Sequence, residues 1–144
     1  ADPALDANWF IKRSKKMAEL EKITINLSVV DLGKIDLLVE EGFYSNRTDF
    51  IRTAIRNQIG THADSIEKTV DRKDYALGVL IYDRSDLERY RREGKMLEIK
   101  MIGMLFLNKD IPVDLALQTI KSIKILGTLK TSAALKEALA DRIM

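Results

Sequence analysis

The 144-residue sequence contains no cysteine, one histidine, two prolines and no long apolar run. Without cysteine the chain can form no disulfide, thiolate nucleophile or thiolate metal site, which fits a reducing cytoplasm. Apolar runs such as Met101 to Leu107 are far shorter than the roughly 20 residues that cross a bilayer, so we expect no membrane span. The single His62 has no second histidine or thiol beside it, and we therefore expect neither a metal site nor a cofactor.

The chain also has little net charge. Its 24 basic and 22 acidic residues give +2, so bulk charge does not indicate a nucleic-acid partner, and any such partner must be argued from local geometry. The hydrophobic fraction of 46% is ample for a packed core. No pattern orders Asp83, Asp86, Glu88 or Asp110 into a catalytic pair, which argues against an enzyme.

Residues 1 to 21 are interpreted as an N-terminal arm. The chain begins Ala-Asp-Pro without an initiator methionine, so Met17 is a candidate native start. The basic cluster at residues 12–16 is interpreted as part of a solvated tail, with an arm that touches phosphates as the alternative.

The stretch KITINLS, residues 22–28, has the period of a strand with one apolar and one polar face. Its polar residues Lys22, Thr24, Asn26 and Ser28 alternate with Ile23, Ile25 and Leu27. No second strand follows nearby, so this one lacks a partner within its own half of the chain.

Two helices are predicted after the strand. Ser28 is placed to cap a helix over residues 29–41 that Gly42 ends. Residue Ser45 or Asn46 would cap the second helix, with Thr48 or Asp49 at the reciprocal position and Gly60 as the stop. The first sixty residues therefore form a strand followed by two helices.

The unpaired strand predicts a dimer. A segment of roughly 40 residues is at the limit for building a core alone, so we expect the strand of a second copy to pair antiparallel to the first. A two-stranded ribbon of this kind fits the major groove of DNA, where Lys22, Thr24 and Asn26 would face base edges. The backbone N–H groups at Ser45, Asn46 and Arg47, at the start of the second helix, would bind phosphate.

Residues 22–59 resemble a ribbon-helix-helix DNA-binding domain of the Arc, MetJ and CopG type. The alternating strand and the SNRTDFIR opening of the second helix carry the likeness, which covers under a third of the chain. The resemblance implies an obligate homodimer that inserts its ribbon into the major groove of double-stranded DNA. It implies Lys22, Thr24 and Asn26 as base readers, and Ser45, Asn46 and Arg47 at the phosphate backbone.

The second half of the chain contains an internal repeat. Residues 61–74 are polar and are interpreted as a linker with at most a short helix over residues 65–72. Beyond them, an apolar-Gly-x-Leu core recurs at Gly78, Gly103 and Gly127, which are 25 and 24 residues apart. A helix should follow each strand: one capped by Ser85 with Glu88 and stopped by Gly94, one starting at Pro112, and one starting at Ser132.

Such strand–helix units require parallel strands, so the glycines would stack in register where only a missing side chain permits close approach. The predicted fold is therefore α+β: an N-terminal ribbon-helix-helix and, over residues 75–144, a three-unit β/α repeat in a solenoid-like parallel layer. A ferredoxin-type sandwich, as in nickel-responsive regulators of this kind, is the alternative, but the histidines and cysteine of a nickel site are missing.

These patterns indicate a sequence-specific DNA-binding transcriptional regulator, with repression as the expected role, located in the cytoplasm on the nucleoid. The C-terminal part would serve oligomerisation beyond the dimer or effector sensing, since a three-stranded parallel sheet leaves edges to be covered. The alternative is an antitoxin-like or scaffold protein whose C-terminal half binds a protein partner.

Overall fold

The computed structural model describes residues 20–144, and the predicted N-terminal arm lies almost entirely outside them. The described chain divides into two compact units, Leu20–Arg72 and Lys73–Met144. Within these residues no helix is long and apolar enough to cross a membrane.

The first helix, α1, spans Val29–Glu40 and is capped as predicted. The Ser28 hydroxyl accepts a hydrogen bond from the Asp31 N–H at 3.0 Å. At the other end the Phe43 N–H donates to the Leu38 carbonyl at 2.9 Å, and Gly42 takes a φ of +84°. This is a Schellman turn, in which the left-handed residue favours glycine.

The second helix, α2, spans Arg47–Thr61. Its cap is Asn46, one of the two predicted residues, whose side chain accepts from the Asp49 N–H at 2.8 Å. The prediction that Gly60 stops this helix was wrong, because the helix includes Gly60 and ends one residue later.

A third helix, α3, spans Ala63–Lys73, in the segment interpreted as a linker with at most a short helix. Its apolar residues Ile66 and Val70 are four apart and so share one side. This spacing is typical of an amphipathic helix, and the polarity of the other positions concealed it.

Residues 22–27 belong to no helix or strand of the single chain. A strand is defined by its ladder, and the described residues contain no ladder partner for this segment. The only described sheet has three strands, and all of them lie in the other unit. The predicted antiparallel ribbon requires a second copy and stays a prediction.

The Lys73–Met144 unit is a parallel sheet with the strand order β1-β2-β3. Its elements in chain order are β1 Ala76–Tyr82, α4 Arg84–Arg92, β2 Leu97–Leu107, α5 Val113–Thr119, β3 Ile120–Lys130, α6 Ala133–Ala138 and a 3-10 turn Ala140–Arg142. Both pairings are parallel, and Gly78, Gly103 and Gly127 lie in one row across the sheet. The parallel pairing and the glycine register are confirmed. That the layer is solenoid-like stays a prediction.

The glycine row is a point of very close backbone approach. A Cβ on Gly103 would overlap the carbonyl oxygen of Gly78, and one on Gly127 would overlap that of Gly103. All three residues have a φ between +126° and +128°. This backbone conformation is nearly restricted to glycine, so both sterics and φ select it at these positions.

The helices of this unit pack on the sheet to form one core. The core contains Leu80, Tyr82, Leu87, Tyr90, Ile99, Met101, Leu105, Leu107, Ile111, Leu115, Ala116, Ile120, Ile123, Leu135 and Leu139. It draws residues from all three strands and from α4, α5 and α6. The competing ferredoxin-type sandwich needs a βαββαβ order, which the described residues of this unit do not have.

Three predicted helix signals in this unit have different outcomes. The prediction that Ser85 caps α4 was wrong: Asp83 is the cap, and it forms a reciprocal capping box with Asp86. The helix stops before Gly94 as predicted, with the Lys95 N–H bonded to the Tyr90 carbonyl at 3.0 Å. Pro112 and Ser132 directly precede α5 and α6, which confirms both predicted starts.

Candidate nucleic-acid interface

The segment predicted to read bases is exposed on both faces in the single chain. Lys22, Thr24 and Asn26 are all exposed, as the proposed role requires. The apolar residues between them are exposed too, with Ile23 at 74%. A lone chain that leaves alternating apolar side chains in water has an unsatisfied surface, which a second copy can cover.

The two helices that follow this segment, α1 and α2, also leave apolar side chains exposed. Among residues 20–72 the only buried hydrophobic side chain is Ile35, at 7% exposed. Large apolar residues of this unit stay exposed, namely Val29, Val30, Leu37, Phe43, Ile55 and Ile59. A unit with one buried side chain has almost no core of its own, which is typical of a segment that folds together with a partner.

The start of α2 is built from reciprocal side-chain to backbone bonds. The Asp49 carboxylate accepts from the Ser45 N–H at 3.0 Å, while the Asn46 side chain accepts from the Asp49 N–H. One of the three N–H groups predicted to hold phosphate is therefore already bonded within the chain. The N–H groups of Asn46 and Arg47 face no acceptor in residues 20–144, and both residues are exposed.

Arg47 is held by a carboxylate that sequence reasoning did not identify. Its Nε and one terminal guanidinium nitrogen donate to the two carboxylate oxygens of Asp36 at 2.7 and 2.8 Å. This bidentate pair joins α1 to α2 across eleven residues of sequence, a separation with no helical periodicity to predict it. The structure thus gives Arg47 an intramolecular partner as well as its exposed position.

The hydrogen bond to Arg47 lowers the pKa of Asp36 below its ordinary value near 3.8, and the same bond raises the pKa of Arg47. A lowered carboxyl pKa means that the pair contributes to folding stability at neutral pH, which is above the pKa of the carboxyl in the unfolded chain. That contribution is lost as the pH falls through the lowered pKa of the folded state. Both groups are exposed, so solvent and salt screen the pair.

A surface pocket of about 380 Å³ lies at the start of α2. It is lined by Ser45, Asn46, Thr48, Asp49, Arg52 and Arg56. Thr48, Arg52 and Arg56 are spaced by four and so lie along one side of the helix. No carboxylate pairs with either arginine in the described chain. Sequence reasoning missed both, although the i, i+4 spacing from the helix start could have identified them.

The polar groups of this pocket suit an anion. It offers two exposed backbone N–H groups at the positive end of a helix, two hydroxyl groups and two guanidinium groups that have no carboxylate partner within residues 20–144, beside the Asp49 carboxylate that the Ser45 N–H already bonds. Within residues 20–144, no cluster of three or more His, Asp or Glu residues could hold a metal ion. Anion binding is therefore the chemistry that these residues support.

Comparison with known proteins defines the class of this chain. Residues 18–136 match the ribbon-helix-helix transcriptional regulator family. The chain is also similar to the transcriptional regulator CdrS of Halobacterium salinarum, with 31% identity over 45 residues, which is 31% of this chain and 82% of that protein. No solved structure matches. The family match covers most of the chain, and the chain therefore belongs to the ribbon-helix-helix transcriptional regulator family, as its resemblance implied.

Proposed function

We propose that the protein is a cytoplasmic, nucleoid-associated repressor that binds DNA as a homodimer. The exposed apolar surface of the Leu20–Arg72 unit carries this proposal. It is too extensive for a free monomer, and pairing with a second copy would bury it. The same pairing would set two copies of KITINLS side by side as an antiparallel ribbon.

The ribbon supplies direct readout in this proposal. Thr24 and Asn26 would face bases in the major groove, where an amide can bond adenine at two positions and a threonine methyl can contact thymine. Lys22, at the beginning of the segment, would reach guanine acceptors or the groove rim. All three side chains are exposed, so dimerisation need not move them out of a core.

The pocket at the start of α2 supplies phosphate binding. We place the backbone N–H groups of Asn46 and Arg47 at one phosphate, with the Ser45 hydroxyl beside them. Arg52 and Arg56 extend this surface along the helix and, unlike Arg47, form no ion pair with a carboxylate in the described part of the chain. Because they touch only the backbone of DNA, these contacts would position the dimer without reading sequence.

The C-terminal sheet has an assembly or sensing role in this proposal. Its two outer strands, β1 and β3, are edges of a parallel sheet, although the bridge between Ile123 and Ile143 covers part of β3. Edge strands commonly find a partner in another subunit. We propose that this unit links dimers into larger assemblies or responds to an effector.

Selection of bound duplexes from a random DNA pool tests the proposed function. The purified chain should enrich a short pseudo-palindromic site, because a two-fold dimer reads two related half-sites. Specific affinity should exceed affinity for unselected duplex by at least about 1,000-fold. If no sequence is enriched while the chain sediments as a folded dimer, sequence-specific binding is excluded.

The pair between Asp36 and Arg47 gives a second prediction. Asp36→Asn removes a negative charge and frees Arg47 for phosphate, so affinity for every duplex should rise together. The slope of log affinity against log salt should steepen by about 1 per freed arginine. Fluorescence anisotropy titrations at several salt concentrations provide the measurement.

Arg52→Gln makes the opposite change in charge, because it removes a positive group from the pocket. It should weaken binding to selected and random duplexes alike and flatten the salt slope by a similar amount. Arg72→Gln, on α3 away from the pocket, serves as the control and should change neither quantity by as much. If Asp36→Asn and Arg52→Gln shift affinity in the same direction, the assignment of this pocket to phosphate is wrong.

A further inference from the structure

The helix α3 is poorly covered in the part of the chain that the structure describes. No residue of α2 or α3 is buried, although together they span Arg47–Lys73 apart from His62. An isolated helix of α3's length, 11 residues, is marginal in water, because nucleation is costly and few hydrogen bonds repay it. A helix of this kind gains its stability from an apolar side that another element covers.

The apolar positions of this region follow a specific spacing. Ile59, Ala63, Ile66 and Val70 succeed one another at intervals of four, three and four residues. This alternation matches the a and d spacing of a two-helix coiled coil, in which each such side chain inserts between residues of the facing helix. Ile59 is 55% exposed and Ile66 is 37% exposed, so both remain accessible to a partner.

α3 follows α2 after the single residue His62, whose φ of −105° and ψ of 12° are not helical. The His62 N–H donates to the Ile59 carbonyl and the Ile66 N–H donates to the His62 carbonyl, each at 3.0 Å. The first of these bonds closes α2 and the second begins α3, so the two helices meet at His62. Ile59 belongs to the apolar surface that the proposed dimer covers, so the α3 seam is a continuation of that surface.

The charges of α3 permit pairing with a copy of itself. It carries three acidic residues, Asp64, Glu67 and Asp71, and three basic residues, Lys68, Arg72 and Lys73. Two such helices have no net charge to repel each other. The seam positions Ala63, Ile66 and Val70 carry no charge at all.

We propose that α3 packs against α3 of a second copy of this chain, with Ile66 facing Ile66 and Val70 facing Val70 across the two-fold axis. The inference rests on the proposed homodimer and extends its interface beyond the ribbon-helix-helix. The segment first interpreted as a linker is then a structural part of the dimer. It holds the two chains together at the point where each passes into its C-terminal unit.

Cysteine cross-linking tests this arrangement directly, because the chain has no native cysteine. Ile66→Cys and Val70→Cys each place one thiol on the seam, and Lys68→Cys places one off it on the same helix. Under mild oxidation of the full chain, both seam variants should form covalent dimers at least about tenfold faster than Lys68→Cys, since only paired residues bring their thiols within disulfide distance.

Sedimentation of the same variants before oxidation separates this inference from the proposed function. If the variants are dimers but Ile66→Cys cross-links no faster than Lys68→Cys, the α3 pairing is wrong and the ribbon-helix-helix dimer stands. If all three variants are monomers at micromolar concentration, the homodimer itself is wrong. Ile66→Gln adds a check without oxidation: it should raise the dimer dissociation constant at least about tenfold, and an unchanged constant would contradict the pairing.

Discussion

Replacing Gly103 with alanine is expected to unfold the C-terminal unit. The added Cβ would overlap the carbonyl oxygen of Gly78 and lie 3.0 Å from its carbonyl carbon. Both are backbone atoms of the neighbouring strand, so they cannot rotate away as a side chain would. The φ of +126° adds strain of its own, since this region is nearly closed to residues with a Cβ.

The expected loss of folding stability in Gly103→Ala is the sum of the backbone strain and the steric overlap. Backbone strain costs about 1–3 kcal/mol, and separating two strands at the centre of the sheet costs more. A total above about 4 kcal/mol would remove most of the stability that a small domain possesses. Urea denaturation followed by far-ultraviolet circular dichroism should show loss of the transition that belongs to this unit.

Gly94→Ala in the same unit is the matched control. Gly94 also has a positive φ, +66°, but an added Cβ there meets nothing within 4 Å. Only the left-handed conformation is then penalised, at about 1–2 kcal/mol. If Gly103→Ala is destabilised no more than Gly94→Ala, the close approach of the strands is not what selects glycine in this row.

Replacing Asn26 with alanine is expected to weaken recognition of the selected site strongly while leaving non-specific binding in place. Each good amide–adenine contact contributes about 1–3 kcal/mol of discrimination. A dimer carries two copies of the residue, so the loss should be at least about 2 kcal/mol, or about 30-fold in affinity. Affinity for random duplex, which depends on phosphate contacts, should change little.

Anisotropy titrations of selected and random duplexes measure both quantities. Thr24→Ala should give a smaller effect of the same kind, because it removes a methyl contact and a hydroxyl. Asn57→Ala, at an exposed position of α2 outside the pocket, is the matched control. An Asn26→Ala variant that binds the selected site as tightly as the parent would exclude direct readout by this residue.

Much of the helical structure was predictable because caps and stops act locally. The Ser28 hydroxyl and the Asn46 side chain bond N–H groups three residues away, so a sequence window of four residues contains the information. The glycine register was predictable for a different reason. A repeat aligns corresponding positions, and parallel pairing of Gly78 with Gly103 preserves that alignment in space.

The predictions that were wrong, and the contact that was missed, have physical explanations as well. Gly60 has a low helix propensity, but the α2 hydrogen bonds continue past it, and a local preference of about 1 kcal/mol does not stop them. Asp83 displaced Ser85 as the α4 cap because a second carboxylate, Asp86, completes a reciprocal box with it. The pair between Asp36 and Arg47 depends on how two helices pack, which no local pattern encodes.

The scarcity of buried side chains in the Leu20–Arg72 unit has a consequence for gene control. If the DNA-reading surface forms only in the dimer, the concentration of that surface is set by the dimerisation equilibrium and is not proportional to the total concentration of chains. Well below the concentration at which chains pair, doubling synthesis would raise the active form about fourfold. A promoter under such a protein would respond more steeply than in proportion to protein level, and dilution by cell growth would release it faster than the total protein falls.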